Sequence, residues 1–520
     1  GAVLQQLFNG KPIAPGQKLS LELVYDVKLP ADRFTSLGYN DKAGTFSIRD
    51  WYLVPARIEN GKFVRYSNEN LDDIANSVAD YAITLRLPKN QSVTIDLPEK
   101  NKFEKDGFMV YEFGGKDRMG FNLAIERNNS FEVYNNSFLE VSCNFQDNRT
   151  TAIQKALMIN QVTEFVAGYI GGYPHQKLMV TQADYDRNPM YGLNQLPAFI
   201  SPYPDSFMFL KTYTNTFLKN TLKLDPRKDN WLYDAIQMEL MMKYIEQFHP
   251  DRTMMGQLSN WGILKGHHLF HISFNGQYNY IYLLTARKNL DQPIGDEKDT
   301  FIKFNEQIAG KYKAGLSIRY LDDYLGNGIV PRSIEEFYKL NTTSSQTYRK
   351  EFETILKEKA GKNIDWFFNT IVDTRELIDF KFEKVKETSD TLDITIKNRM
   401  GTNVPVSLYG LKKGNVVFKQ WLDGIEKDST ITVARRGADR LALNYYDEIP
   451  EYNRRNNWKR LGKFFPNNKP VKFTFFQDIE NPNYNQVFYV PSFTFNLYDG
   501  ISPGLRLHNK SLLDKPFIFD

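Results

Sequence analysis

Two stretches decide the fold: Phe207-Met-Phe-Leu-Lys211-Thr212-Tyr-Thr-Asn215-Thr-Phe-Leu218 and Trp231-Leu232-Tyr-Asp234-Ala-Ile-Gln-Met-Glu-Leu-Met-Met-Lys-Tyr-Ile-Glu246. Both are apolar with few polar insertions, and a polar connection containing Pro226 separates them, so they read as two buried helices. Lys211 and Asn215 are four apart, which on a helix puts them on one face, spaced to grip a common object. Outward from this pair the pattern changes on both sides. Upstream, Lys18 to Leu29 alternates apolar and polar residues, the period of a half-buried strand. Phe46–Trp51, Tyr81–Leu87, Ser92–Leu97 and Met109–Phe113 read as further strands between Gly, Pro, Asn and Asp clusters. From Ile153 to Tyr169 the period is helical, ending at Gly171-Gly172, and Tyr173 to Val180 returns to a strand. Leu316–Leu325 is another apolar helix. Beyond about Asp379 short strands recur (Leu392–Ile396, Val404–Leu408, Val416–Phe418, Thr430–Val433) in the pattern of a small β-sandwich.

The frame around the two helices resembles the zinc site of the aminopeptidase N family of metallopeptidases, the gluzincins. That family carries His-Glu-x-x-His on one helix and, eighteen residues on, a Glu in a Trp-Leu-x-Glu context on the next. Here those positions fall on Lys211, Thr212, Asn215 and Asp234, with Trp231-Leu232 in place and Asn220 where the family often has Asn. The resemblance extends to Trp51-Tyr52-Leu-Val-Pro55, to Tyr173-Pro174-His175-Gln-Lys177-Leu and to Leu443-Asn-Tyr-Tyr-Asp447. Lys311-Tyr312-Lys-Ala-Gly315 is similar to a segment whose tyrosine stabilises the oxyanion, which marks Tyr312 as a family-like catalytic position, the lysine being displaced by one. Gly192, Asn194 and Gln195 stand where the family's Gly-x-Met-Glu-Asn strand lines the substrate groove, but without its carboxylate.

The resemblance implies an α+β multidomain fold. Residues 1–145 would form an N-terminal antiparallel β saddle lacking its earlier strands, and 146–375 a thermolysin-like, mostly helical domain. Residues 376–450 would form an immunoglobulin-like sandwich, and 451–520 a β-rich extension that starts a further domain.

The chemistry at the frame departs from the family. A catalytic zinc needs about three good ligands and an open position, and of the replacements only Asp234 is a usual ligand. Lys211 brings an ammonium, Asn215 a neutral amide, and Thr212 cannot serve as the general base. No glutamate occurs between Phe165 and Met238. The opposite charges of Lys211 and Asp234 suggest an ion pair in the place of a metal; the competing reading has Lys211 reaching solvent and Asp234 as a first-turn residue of its helix. The expectation is therefore a catalytically inactive member with no cofactor, whose groove binds a peptide or protein partner. Two alternatives stay open. One is an active zinc aminopeptidase whose metal is held by His267 and His271, although a strand-like run there would place them about 13 Å apart. The other is a structural cell-envelope component.

Composition bounds the rest. A net charge of +4 from 66 basic and 62 acidic residues gives no electrostatic case for nucleic acid, and Lys412-Lys413 and Arg454-Arg455 read as solvated surface. The single cysteine, Cys143, lies in an alternating run and reads as a packing residue. Gly500-Ile-Ser502-Pro503-Gly504 matches a serine-hydrolase pattern, but Pro503 lacks the N–H an oxyanion hole needs, so it reads as a turn. No run of eighteen apolar residues predicts a transmembrane segment, and no leader precedes Gly1, so the sequence reads as a soluble, processed or recombinant chain. With 38 Phe and 30 Tyr, the composition suits a periplasmic, cell-envelope or secreted protein.

Overall fold

A computed structural model describes residues 16–33, 36–66, 73–145, 150–191, 205–262, 264–462, 469–511 and 517–520 of the chain. The architecture is α+β, with several sheets before and after a helical region. Near the N-terminus, a four-stranded antiparallel sheet runs in the order Gly38–Asn40, Thr45–Ile48, Leu123–Glu126, Ser92–Ile95. A three-stranded sheet has the long strand Phe108–Arg118 between Ala79–Pro88 and Glu99–Lys105. Both contribute to one core of Ile95, Leu97, Tyr111, Phe113, Phe121, Leu123 and Ile125. Trp51 and Tyr52 pack on that core, Tyr52 stacking on Phe121 at 4.5 Å.

Eight α-helices follow among the described residues: α1 (Ala152–Tyr169), α2 (Gln182–Arg187), α3 (Asp205–Thr221), α4 (Asn230–Phe248), α5 (Gly276–Ala286), α6 (Gly310–Leu325), α7 (Ile329–Thr343) and α8 (Arg349–Ala360). The start of α1 is fixed by Thr151, whose hydroxyl accepts from the Gln154 N–H while the Gln154 carboxamide accepts from the Thr151 N–H. Sequence propensity is least favourable to α3, which carries threonine at 212, 214, 216 and 221. It is a helix because burial overrides propensity: Phe207, Phe209, Leu210, Tyr213, Phe217 and Leu218 are each no more than 2% exposed. The hydroxyls of Thr212, Thr214 and Thr221 turn back on the carbonyls of Met208, Leu210 and Phe217, so burial leaves none of them wanting a partner.

Helices α4 and α6 run parallel in close contact. Asp234 meets Lys311, Met238 meets Gly315 one turn on, and Glu246 meets Arg319 further along. A Cβ on Gly315 would lie 2.4 Å from the Met238 Cβ, so the close approach requires glycine. Helix α6 ends at Gly326, whose φ of 66° is easily adopted only by glycine.

The α3–α4 connection, Leu222–Asp229, is clamped by the N-terminal β region. Arg57 donates to the carbonyls of Lys223 and Leu224, both at 3.1 Å. Arg227 makes a two-pronged pair with Asp73 at 2.8 and 3.1 Å, and Lys228 pairs with Glu59 at 2.8 Å.

After the helices, the sheet Phe380–Glu387, Thr391–Asn398, Asp428–Ala434 and the sheet Asn415–Leu422, Val406–Lys412, Arg440–Leu443, Trp458–Arg460 bury Ile394, Ile396, Val406 and Leu408 in the core shared with the helices. The buried Glu451 carboxylate links them, accepting from the Phe380 N–H and from Asn457 and Asn444. Val471–Phe475, Asn485–Asn496 and Gly500–His508 form a last sheet.

Three local expectations are corrected. Residues 18–29 pair with no strand among the described residues, and Leu19, Leu21 and Leu23 stay about half exposed. Alternation marks a face that could be buried but supplies no ladder partner, and a strand needs one. Gly500–Gly504 is extended strand paired with Asn496–Ser492, not a turn. His268–His271 is one turn of 3₁₀ helix rather than strand. Cys143 lies in Glu140–Cys143, fully buried, and burial pushes its thiol up to about 11, as suits a packing residue. Among the described residues no helix is long and apolar enough to cross a membrane.

The α4–α6 contact generates a stability test. Gly315→Ala gains about 1 kcal/mol of helix propensity but overpacks Met238, costing about 1–3 kcal/mol. A net loss in urea-denaturation midpoint is expected, and a more stable variant would show that the helices have room to spare.

Candidate functional site

Lys211, the first residue of the frame, sits on the buried face of α3 with its side chain turned toward the end of α2. Its Nζ donates to the Asn188 carbonyl at 2.5 Å, the Pro189 carbonyl at 2.6 Å and Asn188 Oδ1 at 3.2 Å. Three acceptors match the three donors of an ammonium. Burial and the nearby charge of Lys311 hold its pKa well below the usual lysine value, with Asp234 pulling it back.

Asp234 is in the second turn of α4, not the first, and is 7% exposed. The expected Lys211–Asp234 pair does not form: Asp234 Oδ1 faces Lys311 at 3.8 Å, and Oδ2 accepts from Asn230 Nδ2 at 3.0 Å. Nor does Lys211 reach solvent. The lysine that answers Asp234 comes from α6 because the Gly315–Met238 contact brings that helix alongside α4. Burial raises the Asp234 pKa while Lys311 lowers it. Asn188 Oδ1 also accepts from Lys311 at 3.2 Å, so one amide oxygen joins both ammonium groups.

Thr212 spends its hydroxyl on the Met208 carbonyl at 3.1 Å, inside its own helix. Gln237 ties α4 to α3 through the Lys211 carbonyl at 2.9 Å. Asn215 is half-buried and lines a cleft open to solvent, together with Asn188, Asn230, Asp234, Lys298, Glu306 and Lys311. It also lines an adjoining cleft that reaches Gly120, Phe121 and Asn122 of the N-terminal β region. Asn220 borders that second cleft and donates to the Tyr173 hydroxyl at 2.9 Å.

Other sequence candidates lie elsewhere. Tyr312 is in the first turn of α6, 5% exposed, with its ring edge-on to Tyr278 at 4.8 Å, and it is not part of the cleft wall. Burial pushes its phenol up. His267 Nε2 contacts the Phe475 carbonyl at 2.9 Å and His271 Nε2 the Lys265 carbonyl at 2.5 Å, so the two rings serve different backbone partners. Gly192, Asn194 and Gln195 lie outside the described residues.

The donor set at the frame does not fit zinc. An ammonium engaged with three carbonyls has no lone pair to offer, the Thr212 hydroxyl is turned away, and Asp234 is shared between an amide and Lys311. Among the described residues no three His, Cys, Asp or Glu side chains gather as a metal site. The arrangement instead offers hydrogen-bond donors and positive charge to an open cleft. Asn188, Asn230, Lys298 and Lys311 belong to it without having been singled out for it by sequence. The four-residue spacing of Asn230 and Asp234 was a usable signal; Asn188, Lys298 and Lys311 arrive from distant segments and leave none.

No protein-family model matches the chain, and no curated protein does. Among solved structures it is similar to a Legionella pneumophila aminopeptidase A in complex with aspartic acid, with a TM-score of 0.53, 12% identity, and coverage of 73% of this chain and 45% of that one. The likeness is one of fold: the chain has an aminopeptidase-like, peptidase-type architecture and spans less than half the length of that enzyme.

Two tests follow from the cluster. Asp234→Ala strips Lys311 of its carboxylate and should cost about 3–5 kcal/mol, the penalty of an uncompensated buried charge; a change under about 1 kcal/mol in denaturant unfolding would contradict the pairing. For Lys211 the sign follows from its lowered pKa. Between the folded value and the unfolded value near 10.5 the unfolded chain binds the extra proton, so stability rises with pH across that window. Wild type should therefore gain on Lys211→Met as pH is raised through that window toward 10. Parallel pH profiles for the two proteins would refute the assignment.

Proposed function

We propose that the protein is a non-cleaving member of the gluzincin-type aminopeptidases, using the cleft between the N-terminal β region and helices α3, α4 and α6 to hold a peptide or a segment of a partner protein. The observation that carries this reading is the Lys211 ammonium at the position of the family's first zinc-binding histidine, held by three carbonyl oxygens. Hydrolysis by that family needs a ligand there, a base at Thr212 and an oxyanion donor facing the same point; the first is a cation, the second is bonded within α3, and Tyr312 is packed against Tyr278. Binding needs none of these. It needs an accessible cleft lined by polar groups, which Asn215, Asn230 and the adjoining Asn122 edge supply. A periplasmic, cell-envelope or secreted setting fits the aromatic-rich composition.

The test pairs binding with turnover. Labelled short peptides should bind the full chain, while aminoacyl-amide substrates are not cleaved with or without added zinc. Turnover that disappears with chelator and returns with zinc would overturn the reading and favour an active aminopeptidase.

A further inference from the structure

We infer that the cleft beside Asp234 selects a peptide bearing a carboxylate, with Lys311 and Lys298 receiving its negative charge. The inference deepens the peptide-binding reading and rests on it. The side chains of Lys298 and Lys311 are 12% and 14% exposed, and both border the same cleft. An ammonium this little exposed gains from charged or polar partners for its three N–H donors. Lys311 has one hydrogen bond among the described residues, to Asn188 Oδ1, and lies 3.8 Å from Asp234. Lys298 lies 3.9 Å from the nearest carboxylate, Glu306. Both distances exceed hydrogen-bonding reach.

Each carboxylate also serves another partner. Asp234 accepts from Asn230, and Glu306 is gripped by Lys303 at 2.6 Å. Arg187 and Lys219 border the same cleft, with the buried Lys211 behind. An entering carboxylate accepts several hydrogen bonds at once, and a partly desolvated wall strengthens charge-assisted ones. Asn215 and Asn230 stand beside the lysines as neutral groups suited to the peptide backbone. An acidic side chain and a free C-terminus offer the same group, and the test separates them.

Binding of labelled peptides of one sequence to the full chain, read by fluorescence anisotropy, tests the idea with three forms: glutamates with an amidated C-terminus, glutamines with a free C-terminus, and glutamines with an amidated C-terminus. At least one of the first two should bind about tenfold or more tighter than the third, which identifies the source of the carboxylate. That preference should fall in Lys311→Gln and in Lys298→Gln, survive in Lys311→Arg, and shrink as salt is raised. Equal affinity for all three peptides would overturn charge selection while leaving peptide binding in place. A preference unchanged in both glutamine variants would overturn the assignment to these lysines. Binding of none of the peptides would overturn the inference together with the function on which it rests.

Discussion

The approach of α6 to α4 through Gly315 and Met238 is the constraint on which the site depends. Because the two helices are parallel and nearly in backbone contact, residues one turn earlier are brought together in the same way, and Lys311 meets Asp234. A larger residue at 315 would move α6 outward and separate the charges. The same geometry explains why Lys211 is not the partner: α3 crosses so that its lysine points at the end of α2, where the carbonyls of Asn188 and Pro189 are available. Helix packing, rather than charge attraction, therefore decides which of two lysines pairs with the aspartate.

The cluster also differs from a metal site in how it carries charge. A divalent ion would concentrate charge at one point and organise its ligands by coordination. Here positive charge is spread over two ammonium groups joined by the Asn188 amide oxygen, and each is held by carbonyl or carboxylate oxygens. Such a network has no open coordination position, but it keeps part of its charge turned toward the cleft. The clamp on the α3–α4 connection adds rigidity from the other side. Arg57, Arg227 and Lys228 fix residues 222–229 to the N-terminal β region, which sets the spacing between that region and the helices and hence the width of the adjoining cleft.

The sequence legibly marked elements whose signal is local. The apolar density of 207–218 and 231–246 gave α3 and α4, the helical period from Ile153 and the glycines after Tyr169 bounded α1, and the eighteen-residue spacing defined the frame. Failures came where a long-range partner decides. Alternation at 18–29 promised a strand, yet no neighbouring strand pairs with it among the described residues. The run from His267 read as extended, yet it curls into a 3₁₀ turn on which the Asp478 carboxylate accepts from the N–H groups of His268 and Leu269.

By itself, then, the amino-acid order determined that the chain forms two buried helices, that the residues at the frame are a lysine, a threonine, an asparagine and an aspartate, and that strands flank the helical region. Those facts rest on hydrophobic periodicity and side-chain chemistry, which are properties of neighbouring residues. Only the tertiary structure decided that Lys211 is held by backbone carbonyls, that Asp234 faces Lys311 from a helix more than sixty residues later in the chain, and that Lys298 shares their cleft. Those outcomes depend on how closely helices can approach and which carbonyls a buried ammonium can reach, and neither is written in any local stretch of sequence.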